Sequence, residues 1–526
     1  PYSRVPGEVL WKTDGYGLNT LYERSNHDWF HSYNIYGNYT NTFADVHHVS
    51  ATAGVNYETK FFKDIKIQRN DLLSEDLTDF NLANGDEMSI AGGKNRYALF
   101  GLFYRLNYDY KNRYLFEFSG RYDGSSRFAR GHRYGFFPSV SAGWRINEEK
   151  FFAPLRKQIS NLKLRFSLGA LGNQQVGYYD YLQTISSGGT ISYAFGDKNK
   201  ASGASISAPN ASDFTWETVV TKNIGLDLGL LNNRLNMTAD IYVRDTKDML
   251  MASKDLPNVY GASSPKTNAA NLRTKGWEAS ISWNDSFNLK GKAFHYSVVL
   301  GLADNTTKVT KYNNDNKTLG TPYEGQQLGE IWGYVVDGLF KTDEEAENYP
   351  VNQSYVNNIL NISVKSQGLH AGDVKYVDLD GDNIISPTLS ANDVKDQKVI
   401  GNSLPRYTYS VRLAADWNGI DFSALLQGVG RQHWYPNGET SLFWGPYARP
   451  YCTFIPKDFL TDVWSEDNPD AYFPRPRGYV ALDVNPRELS KPNTRYLQNV
   501  AYCRLKNVTV GYSLPRTWLK ALHMER

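Results

Sequence analysis

Asp378, Asp380 and Asp382 stand at alternate positions of the run Asp378-Leu379-Asp380-Gly381-Asp382-Asn383-Ile384-Ile385. Carboxylates at the first, third and fifth positions of a loop suit a hard, oxygen-seeking cation, and the seventh residue of an EF-hand loop adds a backbone carbonyl. Ile384 holds that seventh place, and calcium is the ion this pattern suits. Two departures stand out. Asn383 replaces the usual glycine at the sixth place, although Asn tolerates the left-handed conformation better than most residues. Leu389 fills the twelfth place, where an acid would close the shell. The alternative is an acidic turn whose Asx side chains bond their own backbone and hold no metal. In either reading the run stabilises a loop and performs no catalysis.

The remaining chemistry-bearing residues are weaker. His433, Trp434, Tyr435, Phe443, Trp444, Tyr447 and Tyr451 form an aromatic set that could stack on sugar faces. Packing of the loop onto itself or onto a partner is the favoured reading, because large aromatics are ordinary core and interface residues. Glu148-Glu149 are adjacent and do not converge on one substrate atom. His47-His48 lack a third ligand at recognisable spacing. Asp123-Gly124-Ser125-Ser126 is a turn signature without the strand–turn–helix setting of a nucleophile elbow, and no glycine-rich stretch has a phosphate-cradling pattern. The chain is not expected to be an enzyme.

The elements that would position these residues are strands. Ala98, Phe100, Leu102, Tyr104, Leu106, Tyr108 and Tyr110 occupy successive even positions, while Gly101, Arg105, Asn107 and Asp109 fall between them. Strand side chains alternate between faces, so the segment has one greasy and one largely polar face. The rhythm recurs in a dozen or slightly more segments, among them 114–122, 140–146, 162–168, 224–230, 235–243, 277–283, 294–302, 407–417 and 420–424. Weaker versions lie at 31–40, 49–58 and 502–512. A helical period would mix the two classes around one cylinder. So many half-apolar strands, broad with Tyr, Phe and Trp, predict an all-β transmembrane antiparallel up-and-down barrel around a wet interior. Arg105, Glu117, Arg121, Lys163 and Arg165 then face the lumen, where they could line a solute path but more often would hold a plug in the lumen by ion pairs.

Short and long connections take turns along the chain. Lys111-Asn112-Arg113, Asn232-Asn233, Lys290-Gly291-Lys292 and Asn418-Gly419 are tight, and Asn-Gly suits a type I′ hairpin. Between these hairpins lie polar stretches at 61–96, 123–137, 172–220, 246–275, 304–405 and 430–500. Consecutive connections of an up-and-down barrel fall at opposite rims, so short turns gather on the periplasmic side and long loops outside. Residues 147–160 form a longer connection on the short-turn side, with some helix expected.

Composition agrees. Of 526 residues 41% are hydrophobic and the mean hydropathy is negative, which a barrel permits because only half of each strand faces lipid. The 37 tyrosines suit interfacial girdles. A net charge of +2 lacks the basic excess of a nucleic-acid groove. Two cysteines, Cys452 and Cys503, make no disulfide framework. No linker divides residues 1–526, and a barrel left open in lipid would strand backbone groups at several kcal/mol each, so further strands are expected beyond one or both ends.

GFFPSVSAGWRINEEKFF (135–152), NLRTKGWEASISW (271–283), GDVKYVDLDGDNII (372–385) and RLKNVTVGYSLP (504–515) closely resemble the SusC/RagA family of TonB-dependent outer-membrane transporters. The resemblance touches nearly the whole chain. It implies a barrel of about 22 strands with a plugged lumen, of which residues 1–526 are the middle and C-terminal part, without the N-terminal plug. It implies TonB-dependent import of oligosaccharides, or of peptides in a RagA-like barrel; a passive porin or receptor barrel is the alternative. The implied partners are a SusD-like surface lipoprotein acting as a lid, TonB-ExbB-ExbD acting through the plug region, outer-membrane lipids, and a second such complex in a dimer. Aligned on Val399-Ile400-Gly401, the family pattern makes Asp396 the closing acid of the Asp378 loop, after an insertion around 387–393.

Overall fold

The structure is a computed structural model that describes residues 19–74, 76–83, 85, 88–195, 199–207, 213–252, 265–357, 369–436, 440–447, 455–476, 488–514 and 518–519. Its strands, in chain order, begin with β1 (Thr20–Phe43), β2 (His47–Asn70), β3 (Met88–Tyr110), β4 (Tyr114–Ser125), β5 (Tyr134–Arg145) and β6 (Ile159–Asn173). A loop hairpin follows, β7 (Ile185–Phe195) with β8 (Asn199–Ile206). Then come β9 (Glu217–Leu230), β10 (Leu235–Ala252), β11 (Lys266–Leu289) and β12 (Lys292–Lys311). Short loop strands β13 (Glu330–Tyr334), β14 (Val336–Leu339), β15 (Val374–Tyr376) and β16 (Gln397–Asn402) precede β17 (Arg406–Trp417) and β18 (Ile420–Arg431). The last are β19 (His433–Trp434), β20 (Gln498–Asn499) and β21 (Tyr502–Tyr512).

Thirteen of these form one sheet in the order β1-β2-β3-β4-β5-β6-β9-β10-β11-β12-β17-β18-β21. Every neighbouring pair is antiparallel, so the sheet is a single meander. Register carries the alternation from strand to strand: Ile35 lies opposite Val55, Val55 opposite Leu102, Leu102 opposite Tyr122, and Tyr122 opposite Phe136. A slip of one residue would turn each greasy row to the other face. Phe100, Leu102, Tyr104, Leu106, Phe116 and Phe118 are all exposed, and no second layer among the described residues covers that face. This is the arrangement lipid requires. The other face is polar: the Asn56 side-chain amide donates to Asn34 at 2.7 Å, and the Thr52 hydroxyl donates to Asn38 at 2.8 Å.

The tight turns fall where their residue types place them. Lys111 and Asn112 have φ of 54° and 58°, Asn232 and Asn233 58° and 61°, and Asn418 and Gly419 50° and 87°. Two consecutive left-handed residues match the right-handed twist of a hairpin. Gly419→Ala puts a side chain at that φ and its Cβ 2.9 Å from the Ser513 carbonyl oxygen. We expect it to weaken the β17–β18 hairpin by about 1–2 kcal/mol. The measurement is amide hydrogen exchange across 406–431, with protection elsewhere unchanged.

Several boundaries differ from those the sequence suggests. The expected loop at 61–96 is occupied by β2 as far as Asn70 and by β3 from Met88, and β10, β11 and β12 likewise run into the expected loops. The weakly patterned 31–40 and 49–58 lie inside 24-residue strands. A membrane crossing needs only about 9–11 residues. Beyond the bilayer both faces are wet, so hydropathic contrast disappears while ladder hydrogen bonds continue. Asp123, Gly124 and Ser125 likewise remain in β4, with only Ser126 turning. The 147–160 connection holds two 3₁₀ turns, Ile146–Glu148 and Lys150–Leu155.

Candidate functional site

The larger buried apolar cluster among the described residues lies outside the barrel wall. Tyr334, Val356, Val374, Tyr376, Ile385, Trp444, Tyr447, Leu489 and Tyr496 form one buried cluster, and its members come from both the 312–405 and the 432–501 connections. The backbone joins the two: the Tyr334 amide donates to the Pro492 carbonyl at 2.9 Å, and the Thr494 amide donates to the Tyr334 carbonyl at 3.0 Å. Asp373, 1% exposed, accepts from the Arg475 guanidinium at 2.6 Å, a charge pair that again spans both connections. Loops that merely fenced a pore would not need a shared apolar core. These two connections fold as one body at the outer rim.

The aromatic set divides accordingly. Trp444 and Tyr447 are fully buried, Tyr435 and Phe443 pack against the cluster, His433 accepts the Asn402 amide through Nδ1, and Trp434 is exposed. Tyr451 lies outside the described residues. Self-packing therefore accounts for most of the set. A smaller cluster of Phe128, Phe137, Phe214 and Trp216 closes the neighbouring loops, with the Trp216 indole donating to the Arg133 carbonyl at 2.8 Å.

The Asp378 run is a compact loop on the larger body. Oxygens of Asp378, Asp380 and Asp382 lie within 4.8 Å of one another. The Asp378 carboxylate accepts the amides of Gly381 at 2.6 Å and Asn383 at 2.7 Å, and Asp382 accepts that of Ile384 at 2.8 Å. Asn383 sits at φ 64°, the left-handed position its side chain tolerates. Burial raises the Asp378 pKa, but hydrogen bonds from those two amides, with those of the Asp396 and Asp380 side chains, together hold the carboxyl below its ordinary range. Asp396 does not join the converging oxygens. It is wholly buried beneath them, accepting the amides of Leu379 at 2.8 Å and Ser386 at 2.7 Å. Burial, together with the nearby charges of Asp380 and Asp378, pushes its carboxyl above the usual value. Lys395 places its ammonium 3.3 Å from Asp380. Three clustered carboxylates with one ammonium alongside leave negative charge for a divalent cation to balance, so the residues present fit calcium.

Several lumen-facing charges stand in matched pairs. Arg105 meets Glu117 at 3.7 Å, Arg121 meets Asp123 at 2.8 Å, and Lys60 meets Asp28 at 3.3 Å. Arg165 forms two bidentate contacts, with Asp227 at 3.0 Å and Asp240 at 2.9–3.0 Å, and Asn223 donates to Asp240 at 2.7 Å. The sequence marked Arg165 as lumen-facing and missed its partners. Their strand parity was legible, but only the β6-β9-β10 order brings the three together. The other candidates have structural places. His47 and His48 point to opposite faces, His47 bonding Tyr108 and His48 bonding Thr42. Glu149 accepts from Tyr114 at 2.6 Å and from the Trp144 indole at 3.1 Å, while Glu148 accepts from Asn147. Cys503 is an exposed free thiol in β21, and Cys452 lies outside the described residues.

Comparison with known proteins agrees with this architecture. The family model described as TonB dependent receptor-like, beta-barrel matches residues 2–485. The chain is 29% identical to TonB-dependent receptor P39 of Formosa agariphila, over 94% of this chain and 47% of that protein. It is 27% identical to TonB-dependent receptor SusC of Bacteroides thetaiotaomicron, over 80% of this chain and 38% of that protein. In fold it is similar to the RagAB peptide importer in its open-open state, at a TM-score of 0.75 and 23% identity, over 96% of this chain and 50% of that one. The chain thus spans half or less of each of these relatives. On the family match and the sheet together, the chain belongs to the TonB-dependent receptor β-barrel family, and its thirteen-stranded sheet is wall of an outer-membrane barrel.

Proposed function

We propose that this barrel is the wall of a TonB-dependent importer of the SusC/RagA type that takes up oligosaccharides beneath a SusD-like lipoprotein lid. The observation that carries the reading is the loop body at the outer mouth, whose own buried core makes it a stiff platform for a partner. The matched lumen pairs satisfy part of the wall's charge among themselves, which supports a neutral, hydroxyl-rich cargo. The similarity in fold to the RagAB peptide importer keeps peptides as the second reading. TonB-ExbB-ExbD supplies the energy through a plug region, and two such complexes pair as a dimer.

The full-length protein, purified in mild detergent, is expected to bring a lipoprotein with it. A deletion strain is expected to lose growth on one class of glycan and keep growth on peptides. The reverse pattern selects the peptide reading, and unchanged growth on both rejects import of either.

The same proposal includes calcium in the outer loop, held by Asp378, Asp380 and Asp382, with the Ile384 carbonyl and Asp396 completing the set. Asp396, like Asp378, accepts one amide on each carboxylate oxygen, which leaves a lone pair on each for the ion. Calcium is expected to slow proteolysis within 369–402 by about tenfold relative to chelator, and Asp380→Asn to abolish the difference. Equal cleavage rates would exclude the ion.

A further inference from the structure

We propose that the periplasmic connection between β5 and β6 is an interfacial anchor, seated in the inner leaflet of the outer membrane against anionic phospholipid. Glu149 locates it. Its carboxylate accepts from the Tyr114 hydroxyl at 2.6 Å and the Trp144 indole at 3.1 Å, and it meets Arg113 at 3.5 Å. Tyr114 and Trp144 face each other across β4 and β5 on the greasy side of the sheet. Glu149 therefore ties the connection to the outer perimeter of the rim and not to the lumen. It does so at the level of an aromatic girdle, where Tyr110 stacks on Tyr114 at 6.4 Å and meets the tilted ring of His47 at 5.0 Å. Amphipathic rings gather at the depth of the lipid headgroups.

From that tether the Lys150–Leu155 turn presents Phe151, 67% exposed, and Leu155, 49% exposed, while Phe152 between them is buried. Large apolar side chains left bare beside a membrane surface are an anchor when basic groups flank them. Here six basic residues, Lys111, Arg113, Arg145, Lys150, Arg156 and Lys157, stand on this arc of the rim against Asp109, Glu148 and Glu149. Arg156 is occupied in holding the turn, donating to the carbonyls of Asn147 at 2.6 Å and Glu149 at 3.3 Å. Lys150 and Lys157 are exposed, with stems long enough to lie along the acyl boundary and ammonium groups left for phosphate oxygens. The charge complement is an anionic headgroup. The side of the membrane follows from family membership, which places short turns in the periplasm.

The test uses the full-length transporter in lipid nanodiscs, with Cys452 and Cys503 changed to Ser. Single nitroxide labels are placed at Phe151→Cys, at Leu155→Cys and, as a rim control, at Asn233→Cys. Recovery of heat-modifiable barrel in the discs first separates this inference from the family reading beneath it. In discs containing phosphatidylglycerol, labels at 151 and 155 are expected to be reachable by oxygen and shielded from a water-soluble nickel relaxant, while the label at 233 is reached by nickel. Lys150→Glu and Lys157→Glu are each expected to shift the immersed population roughly fivefold toward exposure. Phosphatidylcholine discs are expected to show the same loss without substitution. Labels at 151 and 155 as open to nickel as the control would overturn the anchor. Immersion indifferent to lipid charge and to both lysines would overturn the assignment to anionic lipid.

Discussion

Trp444→Ala is expected to unseat the extracellular body while leaving the barrel wall intact. Trp444 is 1% exposed and meets Phe443 at 4.8 Å and Tyr496 at 5.2 Å, both edge-on, and Phe473 at 6.3 Å. Truncating a buried tryptophan costs about 3–5 kcal/mol through lost burial and the cavity left behind. The indole also donates to the Pro436 carbonyl at 3.2 Å, and an orphaned acceptor adds about 1–3 kcal/mol. The body joins two connections that meet through few backbone bonds, so a loss of this size exceeds what it can absorb. Limited proteolysis should cut rapidly within 312–405 and 432–501, while the barrel keeps its heat-modifiable mobility. Trp444→Phe should recover part of the protection. An unchanged digestion pattern would mean that the cluster does not hold the connections together. Co-purification of a lipoprotein should fall with the platform, which ties this result to the proposed function.

The second large effect belongs to the lumen. Arg165→Ala leaves Asp227 and Asp240 facing one another without their shared cation. Removing one partner of a buried pair costs about 3–5 kcal/mol, because the stranded charge has lost its compensation. Arg165 is partly open to lumen water, which screens what remains, so about 2–3 kcal/mol is expected here. Urea unfolding in detergent, followed by loss of heat-modifiable mobility, measures it. Arg165→Lys should recover little, since an ammonium cannot bridge two carboxylates in bidentate fashion. Arg165→Gln with Asp227→Asn and Asp240→Asn should return most of the stability, since neutral amides strand no charge. If the triple variant is no better than Arg165→Ala, packing and not charge explains the loss.

The particular residues show how far the chain could be read before folding. Phe100, Leu102, Tyr104 and Leu106 disclosed a strand and its lipid face, because a two-residue period depends only on neighbours along the chain. Asn418-Gly419 disclosed its hairpin, because left-handed backbone is a property of those residue types. Asp378, Asp380, Asp382 and Asn383 disclosed a tight acidic loop for the same reason. The ends of β1, β2 and β3 were hidden, since above the bilayer no solvent contrast marks one face from the other. Asp396 entered only through family resemblance, and the structure places it below the converging carboxylates.

Sequence by itself therefore determined the strand rhythm, the sidedness of the turns and the half-greasy wall, all of which are local. Only the tertiary structure decided that Arg165 answers to Asp227 and Asp240. It also decided that Asp373 answers to Arg475, and that two connections on either side of the β17–β18 hairpin share the core around Trp444. Such pairings are set by strand order and chain closure. Neither has a signature within any single stretch of residues.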